Sequence, residues 1–474
     1  MLNDMIRKLP SRFYGQWKPD TAADLLVKLA AVLAVLFLLA GYLALPTLPV
    51  FGHDEVHYYT DFFFKLPEDG RWLNHLLFDF SRSVPLPIWS LLYLALSWLL
   101  NYRIARSCAF DPAYCVIMAS TILLVFPFVE MSLWPATTLP ALGVVLLASV
   151  LQKRGVAHPL IYLGAGLLIF GTMQTYYFLL PLLFLPQFLE QAQPVRWRLL
   201  LSHMLWWVAG SVVGALFMSL LLWPMTGHFG PQPADWRNTQ AVHDWASLVN
   251  NTYFVASNFI QLLENLLRLG GVTWGFILIV AMLALLRLRE LLKLWHLHLL
   301  LAAMLLSFFA FSLPLAPTID LRSLVAMATA IILFIALLPG RSATGRVVGA
   351  LLLLKLAAGY STSSKEFLEL HETETAWYTE KLRILIPGNP MAYTAIALHG
   401  TMDPERFEAF IFNDPSRMHP LLVSLGTRKY LDCRIEDRCE GVGTGQTLAE
   451  IPFVKGRLTF SVDAANVGII HYSE

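Results

Sequence analysis

The sequence predicts a polytopic α-helical membrane protein that ends in a small, more polar α+β domain. Three observations carry this reading. Apolar runs long enough to cross a bilayer recur from residue 24 to residue 360. Lys and Arg gather in short clusters between those runs, the pattern that sets membrane orientation. From Ser361 onward the composition changes to that of a water-exposed domain. With 57% hydrophobic and 14% charged residues among 474, and a mean hydropathy of +0.58, the composition excludes a water-soluble globular protein. The net charge of +1 hides an asymmetry, because Lys and Arg lie in short clusters between apolar runs that report orientation and imply no basic groove for nucleic acid.

The first apolar run, near 24–46, is too long for the core of a signal peptide and follows Arg7, Lys8, Arg12 and Lys18. The amino terminus is therefore expected in the cytoplasm and the next loop, 47–84, outside. Spans follow near 85–104, 112–130 and 134–151, with Arg103, Arg106, Lys153 and Arg154 on the cytoplasmic side. About thirty mostly apolar residues then separate Arg154 from Arg196, too many for one straight crossing and few for two. A hairpin of short helices, 159–172 and 176–190, satisfies the parity, with Met173-Gln174-Thr175-Tyr176 at its outer tip.

A span at 200–223 leads to a long outer loop, 225–270, whose second half spaces its apolar residues as an interfacial helix does. Spans near 271–287, 295–313, 321–338 and 346–360 bring the total to about eleven, so the tail lies outside. In that tail a helix is expected from Lys365 to Ile386, then strands such as Ala392–Leu398 and Leu458–Val462. Cys433 and Cys439 can close a short loop in an oxidising compartment, with two free thiols as the alternative. Residues 1–360 thus form the membrane domain and 361–474 the extracytoplasmic one.

Chemistry-bearing residues crowd into Phe51–Leu73, where His53, Asp54, Glu55, Asp61, Glu68, Asp69 and Arg71 sit among aromatics directly after the first span. Ionisable groups at a membrane surface invite a chemical role. Asp54-Glu55, then Asp69-Gly70-Arg71-Trp72-Leu73, Gln174-Thr175-Tyr176 at a hairpin tip, and Arg322 opening a late span together resemble the O-antigen serotype-converting glucosyltransferases (Gtr family), polytopic enzymes of the GT-C type. The resemblance covers most of the membrane part and is strongest at 50–80. Two positions differ: Glu55 stands where the family has a second Asp, and Trp72 follows Arg71 where the family has Pro.

The resemblance implies a bacterial inner-membrane enzyme. It would transfer a sugar, usually glucose, from a polyprenyl-phosphate donor to a lipid-linked or surface glycan such as O-antigen on the periplasmic face. It also implies functional pairing with a donor-synthesising glycosyltransferase and a flippase. Asp54 or Glu55 is then the expected base that takes the acceptor hydroxyl's proton. Arg71 and Arg322 are the expected partners of the donor phosphate. Asp69, Glu130, Gln174, Tyr176 and Asp320 are candidate substrate contacts. No divalent metal is indicated as obligatory, and no Asp-x-Asp triplet is present to hold one. Attack in a single step would invert the anomeric centre.

Each residue also has a plainer reading. Asp54 and Glu55 suit a helix cap, Arg71 and Arg322 suit interface anchors, Asp320 suits a partner for Arg322, and Glu130, Gln174 and Tyr176 suit the interfacial belt. Two other functions fit the class. An O-antigen polymerase or ligase handles the same lipid-linked glycans but would place its catalytic loop late in the chain. A polyprenyl-glycan transporter would place charges near the midplane and show internal repeats.

Overall fold

The structure is a computed structural model. It describes residues 21–45, 65–77, 80, 84, 86–108, 110–190, 193–232, 239–293, 295–340, 342–400, 418, 421–422, 425–427, 429–433, 445–453 and 456–473. Asp54, Glu55 and Cys439 lie outside the described residues. The chain divides into two compact units, Met1–Leu43 with Phe62–Lys365, and Ala44–Asp61 with Glu366–Glu474.

The first unit is helical. α1 (Thr21–Gly41) is followed by two short helices, α2 (Lys65–Asp69) and α3 (Trp72–Leu76), then by α4 (Leu86–Ser107). α5 (Pro112–Leu124) starts sharply because the Asp111 side chain accepts the Tyr114 N–H and Pro112 needs no donor partner in the first turn. α6 (Phe126–Met131) carries Pro127 in its first turn, so the run expected as one span at 112–130 is broken at Val125. α7 (Pro135–Lys153) and α8 (His158–Ile169) also begin with proline in the first turn.

The expected hairpin of two short α-helices takes a different form. After α8 the chain passes through Phe170–Met173 into a 3-10 helix, Gln174–Phe184, and only then into α9 (Leu185–Glu190). Pro181 inside that run supplies no N–H to an α-helical ladder. α10 (Gln193–Thr226) packs on α8 through glycines, since a Cβ on Gly166 would lie 2.2 Å from the Gly210 carbonyl oxygen.

α11 (Trp245–Leu269), the expected interfacial helix, is capped by a reciprocal pair, Asp244 and Ser247. It bends by 104° into α12 (Trp274–Leu286), with Gly271 at φ +59° in the break. α13 (Leu288–Lys293), α14 (Trp295–Ser312), a 3-10 turn (Leu321–Leu324) and α15 (Val325–Leu337) lead to α16 (Ala343–Leu385).

α16 joins what the sequence separates into a last span and a tail helix. The Ser361-Thr362-Ser363-Ser364 stretch holds no proline or glycine, and its hydroxyls find carbonyl partners: Ser361 donates to Phe37, Ser363 to Leu269 and Ser364 to Tyr360. A polar stretch therefore continues the helix instead of ending it.

Among the described residues, α1, α7, α10 and α16 are long and apolar enough to cross a membrane, and the bent pair α11–α12 would make a fifth. Eleven crossings are not shown. α5, α8 and Leu321–Leu337 are shorter apolar helices. α1 exposes Leu25, Leu29 and Leu36, and α10 exposes Leu205, Val212 and Leu216, surfaces that suit lipid and not water.

In the second unit a five-stranded sheet runs in the order β2 (Tyr430–Asp432), β1 (Ala395–His399), β5 (Val467–Ser473), β4 (Gly456–Val462), β3 (Gln446–Phe453). β1 is parallel to both neighbours, whereas β3, β4 and β5 form an antiparallel meander. Ile396, Leu398, Phe460 and Ile470 pack under Tyr378, Leu382 and Leu385 of α16, and Ala395, Ala397, Leu431 and Ile469 form a second, smaller cluster. Cys433, just after β2, is disulfide-bonded.

Candidate functional site

The site is built on the short helices α2 and α3, which meet at Gly70. Its φ of +69° lets the chain turn, and a Cβ there would lie 2.3 Å from the Met218 sulfur of α10. The turn brings the Arg71 guanidinium to 2.9 Å from the Asp69 carboxylate, with both side chains more than nine-tenths buried. Such a pair holds because each charge neutralises the other where water cannot.

This segment is docked at several points. The Leu73 N–H donates to the Gly171 carbonyl at 2.9 Å, the Asn74 side-chain amide to the Thr137 carbonyl at 3.0 Å, and the Gln174 amide to the Asp69 carbonyl at 3.0 Å. The Gln232 N–H donates to the Pro67 carbonyl at 2.8 Å. Trp72 lies edge-on to Phe217 and fills the space that a side chain at Gly171 would take. The break between α8 and the 3-10 helix thus has a clear role, since the backbone at Gly171 serves α3 instead of a helix of its own.

A second charged group forms from residues far apart in sequence. Arg322 reaches Glu130 at 3.2 Å and Asp320 at 2.5 Å, and its Cζ stands 4.7 Å from the centre of the Trp134 ring. Asp320 precedes the 3-10 turn that carries Arg322, Glu130 belongs to α6, and Trp134 caps the start of α7. Two carboxylates on one guanidinium leave the trio with one net negative charge when both acids are ionised. Glu130 and Arg322 are mostly buried, at 16% and 18% exposure, while Asp320 keeps 32% of its side chain exposed. The group therefore offers a carboxylate oxygen to hydroxyl donors, with guanidinium N–H groups beside it.

Each group is tied to the start of α7 by one contact, the first through Asn74 of α3 and the second through Arg322 itself. Trp134 seats Arg322, and Thr137, one turn later, receives Asn74, which stands three residues after Arg71. The structure thus joins Asp69, Arg71 and Gln174 in one group and Glu130, Asp320 and Arg322 in the other. Tyr176 belongs to neither: its ring is fully enclosed beside Tyr93, whose hydroxyl donates to the Phe128 carbonyl at 2.9 Å. Asp54 and Glu55 lie outside the described residues. Among the described residues no three His, Cys, Asp or Glu side chains come together as metal ligands.

Trp134, Asn74, Thr137 and Gly171 are the structural partners that sequence reasoning missed. Asn74, an amide within the aromatic and leucine run after Asp69-Gly70-Arg71, was the available signal, because a buried amide requires partners. Comparison with protein-family models, with curated proteins and with solved structures gives no match.

Proposed function

We propose that the chain is a multi-pass membrane glycosyltransferase of the GT-C type. It moves a sugar, glucose in the first instance, from a polyprenyl-phosphate donor to a lipid-linked or surface glycan at the periplasmic face of a bacterial inner membrane. Asp54 or Glu55 takes the proton of the acceptor hydroxyl, and the departing lipid phosphate is met by arginine. The single observation that supports this most is that the Glu130–Arg322–Asp320 group rests on Trp134 at the start of α7, while the helix that follows the Asp69–Arg71 pair is tied to Thr137 in the first turn of α7 by Asn74. Charged groups at one end of apolar helices suit a reaction at the membrane surface.

The carboxylates give the arginines their present form. A guanidinium has five N–H donors, and Glu130 and Asp320 engage Nη1 and Nη2 of Arg322 from two sides. In this reading a lipid phosphate shares or displaces one of those carboxylates, and Asp320, the most exposed of the trio, is the one that yields. Arg71 is more enclosed and holds α2 and α3 in register, so it acts on the donor from behind Asp69.

The test is sugar transfer by purified protein in detergent, with polyprenyl-phosphate glucose and candidate glycan acceptors. Asp54→Asn and Glu55→Gln are compared with wild type. Loss of turnover by about a hundredfold or more in one variant, with donor binding retained, is the expected result. Full activity in both variants would remove the acidic pair from the mechanism. No transfer by wild type with any such donor would overturn the reading itself.

A further inference from the structure

At the opposite end of α7 from Trp134 the structure gathers cations that, among the described residues, have no acid within ion-pair distance. The Arg103 guanidinium of α4 donates to the Ser149 carbonyl at 3.4 Å, which fixes it one turn before Lys153, the last residue of α7. Arg106 lies three residues after Arg103 on α4, and its guanidinium bonds the Phe110 carbonyl. Arg103 and Arg106 are both close enough to Lys153 to repel it. Among the described residues none of the three has a carboxylate within ion-pair distance. Asp111, the next acid along the chain, is taken up by the Tyr114 N–H and by Arg346 at 3.9 Å.

The surface beside these cations is apolar. Leu92 and Leu99 are exposed on α4, and with Arg103 and Arg106 they follow one helical stripe at spacings of seven, four and three residues. An exposed leucine stripe that ends in guanidinium groups matches a molecule with a hydrocarbon chain and an anionic head.

We propose that Arg103, Arg106 and Lys153 form a binding site for a phosphate-bearing anion, filled by the headgroup of an anionic phospholipid whose acyl chain lies along Leu99 and Leu92. The site is separate from the groups at the first turn of α7. Lys153 stands where the Arg103 and Arg106 guanidinium groups repel it, and one shared anion offsets that repulsion. Guanidinium groups on α4 and an ammonium on α7 held by one headgroup would also tie the two helices together.

The experiment uses the full chain, purified in a neutral detergent and stripped of lipid. Binding of phosphatidylglycerol and of phosphatidylcholine is measured by native mass spectrometry, with and without inorganic phosphate. Wild type is expected to prefer phosphatidylglycerol by at least about tenfold, and each cation removed is expected to weaken that lipid about fivefold. Lys153→Gln, an exposed substitution that leaves the packing intact, gives the first reading, and Arg103→Gln with Lys153→Gln the second. Arg103→Lys is expected to keep most of the preference.

Displacement of bound phosphatidylglycerol by millimolar inorganic phosphate would show that the cations take free phosphate as well. Retention of the lipid under the same conditions would show that the acyl chain contributes to binding. Either result supports the anion site. Equal binding of the two lipids by wild type, or undiminished phosphatidylglycerol binding in both glutamine variants, overturns it.

Discussion

Arg322 and Trp134 are stacked with 4.7 Å between the guanidinium carbon and the ring centre, so the cation that joins Glu130 to Asp320 also rests on the residue that starts α7. Removing it has two separable consequences. Arg322→Ala leaves two carboxylates facing each other without a counter-charge, at a cost of about 2–3 kcal/mol near neutral pH. The cost is expected to shrink in acid, where carboxylates become neutral. Unfolding of wild type and variant in detergent at pH 7 and pH 4.5 measures both. An identical loss at the two pH values would mean that packing on Trp134, not charge, is what Arg322 supplies.

Asp69 and Arg71 form the more enclosed pair. Asp69→Asn removes the carboxylate 2.9 Å from a buried guanidinium and is expected to cost about 3 kcal/mol. Adding Arg71→Gln should restore part of that loss, with a coupling energy above about 1 kcal/mol in a double-mutant cycle. Additive losses would show that each side chain acts through other partners.

The glycines make a graded series. A Cβ on Gly171 would lie 2.3 Å from the Trp72 indole nitrogen, and one on Gly166 would lie 2.2 Å from the Gly210 carbonyl oxygen, whereas one on Gly143 would meet nothing within 4 Å. Gly171→Ala is expected to cost about 1–3 kcal/mol by pushing α3 off its seat. Gly166→Ala is expected to cost at least as much, because a backbone oxygen cannot swing aside as a side chain can. Gly143→Ala should be neutral or stabilising by up to about 1 kcal/mol. Thermal unfolding of the three variants in one detergent ranks them.

The cap of α11 predicts a pH dependence. The Ser247 N–H donates to the Asp244 carboxylate at 2.7 Å, and that bond first, with the Ser247 hydroxyl second, holds the Asp244 carboxyl below its usual value. A folded value below the unfolded one means that the cap's contribution is complete above about pH 3.9 and is lost as pH falls through the folded value. Amide exchange at Ser247 and Leu248, corrected for its intrinsic pH dependence, should therefore lose protection in that acid window. Asp244→Asn keeps an N-cap without a titrating carboxylate, so its protection should not change with pH. A variant that frays in acid as wild type does would place the cause elsewhere.

The break at 170–173 shows where reading the sequence stops. Counting residues between Arg154 and Arg196 requires a turn near Met173, and the turn is there. The same counting cannot specify that Gly171 gives its carbonyl to Leu73, because the partner lies about a hundred residues away and leaves no periodicity behind. Likewise the change of composition at Ser361 separates a span ending near 360 from a tail helix starting at Lys365. Here the Ser361, Ser363 and Ser364 hydroxyls bond carbonyls within α16 and on neighbouring helices, and the helix continues.

Asp320 and Arg322 are adjacent enough for the sequence to pair them. Glu130, 192 residues from Arg322, is joined to them only by the packing of α6 on the 3-10 turn, and Trp134 only by its place between α6 and α7.

The amino-acid sequence by itself determined that the chain is mostly helical with apolar helices long enough to cross a membrane, the position of nearly every apolar helix and the small C-terminal region with its sheet. Those follow from hydropathy and from proline, glycine and capping residues, which act over a few neighbours. Only the tertiary structure decided that the carboxylates and arginines sort into two groups, each tied to the start of α7, that Tyr176 is enclosed and that α16 is unbroken. Those outcomes depend on which distant carbonyl or counter-charge each polar group meets in the packed state, and local sequence carries no record of that meeting.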